Sequence, residues 1–163
     1  MDCKAAHRLA DEIRRSAGAG AWHGPSVKDA LAGVSLSDAL WLPAASANSI
    51  AALALHIDFW TADVLAVVGG RPYRSNSEAA QWPPVSLSDE RSWSALLASI
   101  ETQNAELAAA VELLSEADLA RPMENRDYDL EFLLHGFAQH NAYHAGQIVL
   151  LKRLCPSASG EPI

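Results

Sequence analysis

Apolar residues recur along this chain at three- and four-residue intervals, the spacing that gathers side chains on one face of an α-helix. Four stretches hold the pattern long enough for a substantial helix. The first runs from about Cys3 to Ala17, with Leu9 and Ile13 on its apolar side, and Gly18-Ala19-Gly20 ends it. Pro25 stands where a short helix over Val27 to Ala32 begins, since its missing N–H costs nothing at a first helical position, and Gly33 stops it. The second long helix spans about Asn48 to Val68, capped by Asn48 or Ser49 and closed by Gly69-Gly70. The third runs from about Ser88 to Leu114 on a stripe of Trp93, Leu96, Ile100, Leu107, Val111 and Leu114. The fourth spans about Asp129 to Leu154 and ends at Pro156. No strand pattern, repeat or second domain interrupts this. The expectation is one all-α domain over residues 1–156 and a loosely held tail, 157–163.

The connections limit the chain path. Antiparallel neighbours in a helical bundle need only ~2–8 linking residues, whereas about 17 to 19 separate the second and third long helices. A helix of about 21 residues is ~32 Å long, and an extended link of about 18 residues reaches ~60 Å. The link is long enough to return to the starting end, which permits a crossover and parallel second and third helices.

Two stripes carry an anomaly. On the fourth helix Leu130, Leu133, Phe137, His140, His144, Ile148 and Leu151 share one face at 100° per residue. Two imidazoles thus replace aliphatics in a stripe that should face a core, and residues four apart lie close enough to converge on one ion. On the second helix His56 shares a stripe with Ala52, Trp60 and Val67. Buried imidazoles need partners. Hydrogen bonds to carboxylates or to one another would satisfy them. So would a metal, and His56, His140 and His144 supply the three protein ligands of a catalytic metal site with one position left open.

Neighbouring residues have two readings each. Asn141 and Gln147 flank the histidine stripe, to hydrogen-bond a ligand imidazole or to cover the edge of the core. Trp60, one turn after His56, lines the pocket or packs in the core, and Asn104 is a pocket residue or a hydrated gap in the third stripe. His135 falls on the opposite face from His144, and Asp58 and Asp63 are misplaced around or along the helix to join His56.

Composition narrows the function. A chain of 163 residues, half hydrophobic and one-fifth charged, has the size and make-up of a single globular domain. A net charge of −8, with 12 basic residues scattered among 20 acidic ones, argues against nucleic acid. No uninterrupted apolar run approaches the ~20 residues that cross a bilayer, and the start lacks a signal-peptide pattern, so no membrane role and a cytoplasmic location are expected. Cys3 and Cys155 have no second cysteine at ligand spacing and are expected to be thiols.

Three segments, Trp22-His23-Gly24-Pro25-Ser26, Leu55-His56-Ile57-Asp58-Phe59-Trp60 and His140-Asn141-Ala142-Tyr143-His144-Ala145-Gly146-Gln147-Ile148, resemble the DinB/YfiT-like superfamily of metal-dependent proteins, over about Asp2 to Arg153. The resemblance implies a four-helix bundle with an up-down-down-up path and a long crossover between helices two and three. It implies one divalent ion held by three side chains, matching His56, His140 and His144; some relatives place a carboxylate at the position of His140. It brings His23 to the site mouth and favours a homodimer. Characterised members include thiol-dependent transferases and a maleylpyruvate isomerase that use low-molecular-weight thiols, while most have no assigned reaction.

The reading that follows is a metal-dependent enzyme acting on a small molecule, by thiol-dependent transfer or isomerisation or by hydrolysis, with zinc or nickel the expected ion and a small thiol as candidate co-substrate. The alternative is a non-catalytic, stress-related protein that binds a metal or small molecule. A His-Glu-x-x-His sequence is absent, because Asn141 follows His140, which weakens a protease assignment and leaves no evident general base.

Overall fold

The computed structural model describes residues 3–18, 20–45, 47–72 and 78–156. The tail expected to be loose, 157–163, and the middle of the long link, 73–77, lie outside the described residues. In chain order the helices are α1 (Lys4–Ala17), α2 (Val27–Leu31), α3 (Leu36–Leu40), α4 (Ile50–Val68), α5 (Glu78–Gln81), α6 (Glu90–Glu112), α7 (Glu116–Leu119) and α8 (Leu130–Leu154). The described residues contain no strand, only an isolated bridge between Pro122 and Asp129. The fold is all-α.

Side-chain caps set the helix starts. Ser49, not Asn48, accepts from Ala52 N and opens α4; Asp89 accepts from Ser92 N and opens α6; Asp129 accepts from Phe132 N and opens α8. Each cap satisfies one of the N–H groups that the first turn cannot pair internally. Ser26 caps α2 with Asp29 reciprocating, so Pro25 precedes the cap instead of occupying the first turn. At the far end of α4, Gly70 takes φ of 82°, a left-handed conformation that a Cβ would strain. Two of the short helices, α3 and α7, are opened by Ser35 and Ser115, each capping onto an aspartate three residues on.

The four long helices pack in a ring: α1 and α4 each lie against both α6 and α8. Along α4 and α6 the paired residue numbers rise together, Asp58 with Ser99 and Gln103, then Thr61 with Asn104. They also rise together along α1 and α8, Glu12 with His135 and Ser16 with Asn141. They run oppositely on α4 and α8, where His56 meets His140 while Val67 O accepts from Arg121, just ahead of α8. Two apolar clusters fill the interior. One joins α2 and α3 to Ile50, Leu53, Ile57, Trp93 and Ile148; the other holds Leu9, Ile13, Val64, Leu107, Val111, Leu130 and Leu134. Each such side chain taken from water contributes about 1.5–3 kcal/mol.

Two sequence expectations shift. By length and mean hydropathy α4 is apolar enough to cross a membrane, yet 61% of that window is buried within the protein, against α6 and α8. On α8 the buried line passes through Leu130, Leu134, Phe137, Asn141, His144, Ala145 and Ile148, while Leu133 and His140 are half-buried. The cause is geometric: α8 packs against α1, α2 and α4, so its buried sector is wider than a single narrow stripe. His144 therefore lies within that sector and His140 at its edge.

Candidate metal centre

His56 projects from the second turn of α4, and His140 and His144 from the middle of α8, so the packing of those helices brings the three rings together. His140 Nε2 stands 3.0 Å from His56 Nε2 and 3.0 Å from His144 Nε2. All three potential ligand atoms fall within 4.8 Å of one another. Donors held at ~2.1 Å in a tetrahedral zinc site stand ~3.4 Å apart, so one ion fits with small adjustments.

The outer hydrogen bonds decide which nitrogens face inward. The Gln81 backbone carbonyl can only accept, so His56 Nδ1 donates to it across 2.6 Å. His144 Nδ1 donates to Gln147 Oε1 at 2.6 Å. A neutral imidazole carries one N–H, so both rings aim an Nε2 lone pair at the centre. A neutral His140 has at most one inward proton to answer those two lone pairs. A divalent cation accepts all three, and the chemistry of this donor set fits it. His140 Nδ1 is itself buried without a hydrogen-bond partner among the described residues, so nothing there fixes the tautomer of that ring.

Burial lowers the pKa of all three rings below the usual imidazole value. For His140, desolvation and then the neighbouring His144 and His56 charges push it to about 3. Desolvation leads for His56 and His144 too, opposed by the bonds to Gln81 and Gln147, which favour the charged form. The cluster is therefore neutral at physiological pH, the state in which imidazole binds metal.

Aromatic rings enclose it. Trp82 stacks flat on His56, centroids 3.9 Å apart at 9°, and presents an edge to His144. Trp60 meets His56 and His140 edge-on, at 6.4 and 6.1 Å. Tyr143, largely exposed, sits edge-on to His144 at 5.0 Å.

The remaining candidates are distributed as follows. Gln147 touches the cluster directly, as the acceptor for His144. Asn141 is fully buried and turns towards α1, donating to Ser16 Oγ. His23 is exposed ahead of α2. His135 pairs with Glu12, and Asp58 accepts from Ser99 and Gln103 of α6, away from the rings. Sequence reasoning missed Gln81 and Trp82, which treated the long link as a spacer. A tryptophan just before Pro83-Pro84 in a polar link was the available clue; a backbone carbonyl leaves none.

A family model of the DinB superfamily matches residues 22–148, a span that includes all three histidines. No curated protein and no solved structure matches the chain.

Proposed function

The chain belongs to the DinB superfamily, and from that membership and its histidine cluster we propose that it is a metal-dependent enzyme acting on a small molecule. His56, His140 and His144 hold one divalent ion, zinc or nickel, and leave a coordination position for substrate. The observation that carries this is the pair of inward Nε2 lone pairs, fixed by Gln81 and Gln147, that meet a third imidazole at 3.0 Å. Three donors are one short of the four that close a structural zinc site. When bound, the ion supplies a Lewis-acidic centre able to acidify a thiol or water or to polarise a carbonyl.

The chain's own residues supply the rest. Gln81 and Gln147 hold the ligand tautomers, and the indoles of Trp60 and Trp82 shield the rings from water. Tyr143 borders the outer edge. Thiol-linked transfer or isomerisation is favoured over proteolysis, because among the described residues the cluster's hydrogen bonds and ring contacts include no carboxylate to serve as general base. The four-helix, up-down-down-up path is supported by the cross-helix pairs described above. A homodimer is supported by the apolar Tyr143, Leu150 and Leu154 exposed on the outside of α8, with Gly146 between them permitting close approach.

The test begins with metal analysis of protein purified without a nickel column. Wild type and His135→Ala should carry about one divalent ion per chain, while His56→Ala, His140→Ala and His144→Ala should be largely depleted. Full retention by His140→Ala removes the site. Turnover of small electrophiles with added thiol by wild type, but not by depleted variants, supports the enzyme; metal without turnover supports a binding protein.

A further inference from the structure

The outward side of α8 carries a second pattern, distinct from its buried line. At about 100° per residue, Phe132, Gly136, Tyr143, Gly146, Leu150 and Leu154 fall within a sector of about 80°. Its large members are more than half exposed, Phe132 at 64%, Tyr143 at 65%, Leu150 at 58% and Leu154 at 55%. Apolar positions stepped by threes and fours along one narrow line form the seam by which two helices pair. The glycines point the same way. A Cβ added at Gly136 or Gly146 would meet nothing within 4 Å. Glycine inside a helix costs stability, and packing within the chain does not require it at either place.

The order of the pattern says what fits it. Turned end for end about Tyr143, the stripe maps onto itself: Phe132 comes opposite Leu154, and Gly136 opposite Leu150. Each leucine then projects into the space a glycine leaves. Charge agrees, because Arg153 in the last turn of one helix comes beside Glu131 in the first turn of the other, and the two helix dipoles oppose. Parallel pairing would set glycine on glycine, Arg153 on Arg153 and the dipoles side by side.

We propose that the occupant of this face is a second copy of the chain, its α8 antiparallel to the first and the two-fold axis passing beside Tyr143. The proposal rests on the homodimer suggested above and specifies its register. On α8, His140 and Gln147 flank the stripe on one side, within about 80° of its centre. A two-fold axis brings like flanks together, so both histidine clusters lie on the same side of the pair. The two Tyr143 rings stand between them, and the partner's Tyr143 borders each cluster.

The test is cross-linking of the full-length protein with a short bismaleimide, using Gly136→Cys, Leu150→Cys and the variant carrying both. Cys3 and Cys155 are buried, and wild type is the control. Antiparallel pairing puts the two positions across the seam from each other, whereas like positions stand about 21 Å apart along it, beyond the linker. The expected result is a cross-linked dimer from the double variant and little from either single one. Glu131→Arg and Arg153→Glu leave the apolar seam intact and give an independent reading by sedimentation. Each should weaken the dimer several-fold and the two together should restore it, whereas effects exerted through the helix dipole would add. Single variants that cross-link with themselves, or charge reversals whose effects add, would overturn the register and leave the dimer standing. A monomer at every concentration would overturn both, and metal content of the same samples reports on the histidine site separately.

Discussion

At the residue scale, the histidine cluster depends on groups that touch no ligand position themselves. Gln147 is the clearest case, because its Oε1 accepts from His144 Nδ1 and so holds the tautomer of that ring. Gln147→Leu removes that acceptor, and metal affinity should fall about 10–100-fold while the helix content stays unchanged. A chelator competition assay reads this directly, and an unchanged affinity would mean that packing alone orients His144. The lowered pKa values give a pH dependence whose sign is fixed. In metal-free protein the unfolded chain protonates its histidines near the ordinary value of ~6.5, whereas burial makes the folded rings resist. Stability is therefore fully present above ~6.5 and declines as pH falls from there towards the folded values, about 3 for His140. Melting temperatures between those limits should drop more steeply for metal-free wild type than for metal-free His140→Leu. Parallel slopes would place the acid sensitivity elsewhere.

At the element scale, the link between α4 and α6 is part of the centre. Its short helix α5 ends at Gln81, whose carbonyl receives His56, and the next residue, Trp82, covers the same ring. Trp82→Ala should weaken metal binding by letting His56 turn and water enter, while Ser49→Ala should leave metal affinity alone and cost about 1 kcal/mol of stability through the lost cap of α4. Denaturant melts and chelator titration on both variants separate the effects; a Trp82→Ala protein with intact affinity would make the indole mere packing. The helix boundaries show what periodicity can and cannot indicate. Stripes located all four long helices, because each buries one face. They missed α3 and α7, which are about one turn long, although Ser35 with Asp38 and Ser115 with Asp118 mark both starts in the sequence. The stripe expected through Leu133 passes instead through Leu134, since α8 packs against α1, α2 and α4 at once.

At the scale of the whole molecule, the histidine cluster draws one side chain from α4 and two from α8. A metal bound only by the folded chain stabilises it by mass action, so stripping it should lower the melting temperature, and replacing it should restore it. A chelated protein that melts with the untreated one would count against a tightly held ion. Two copies paired through the outside of α8 should sediment as a dimer that Leu150→Glu dissociates, because a charge there would be buried against the second copy; a concentration-independent monomer would remove that assembly.

The sequence by itself determined the long helices and the three candidate ligands, because each is written in local spacing: 3.6 residues per turn, two imidazoles four apart. What it left open was long-range. That His56 meets His140, 84 positions further along the chain, that Gln81 offers a carbonyl to one ring while Asn141 turns to Ser16, and that Asn104 Oδ1 is buried without a donor among the described residues all depend on how the helices are oriented about their axes. That orientation is set by the summed packing of every face at once. No window of the chain contains it, and only the tertiary structure decides it.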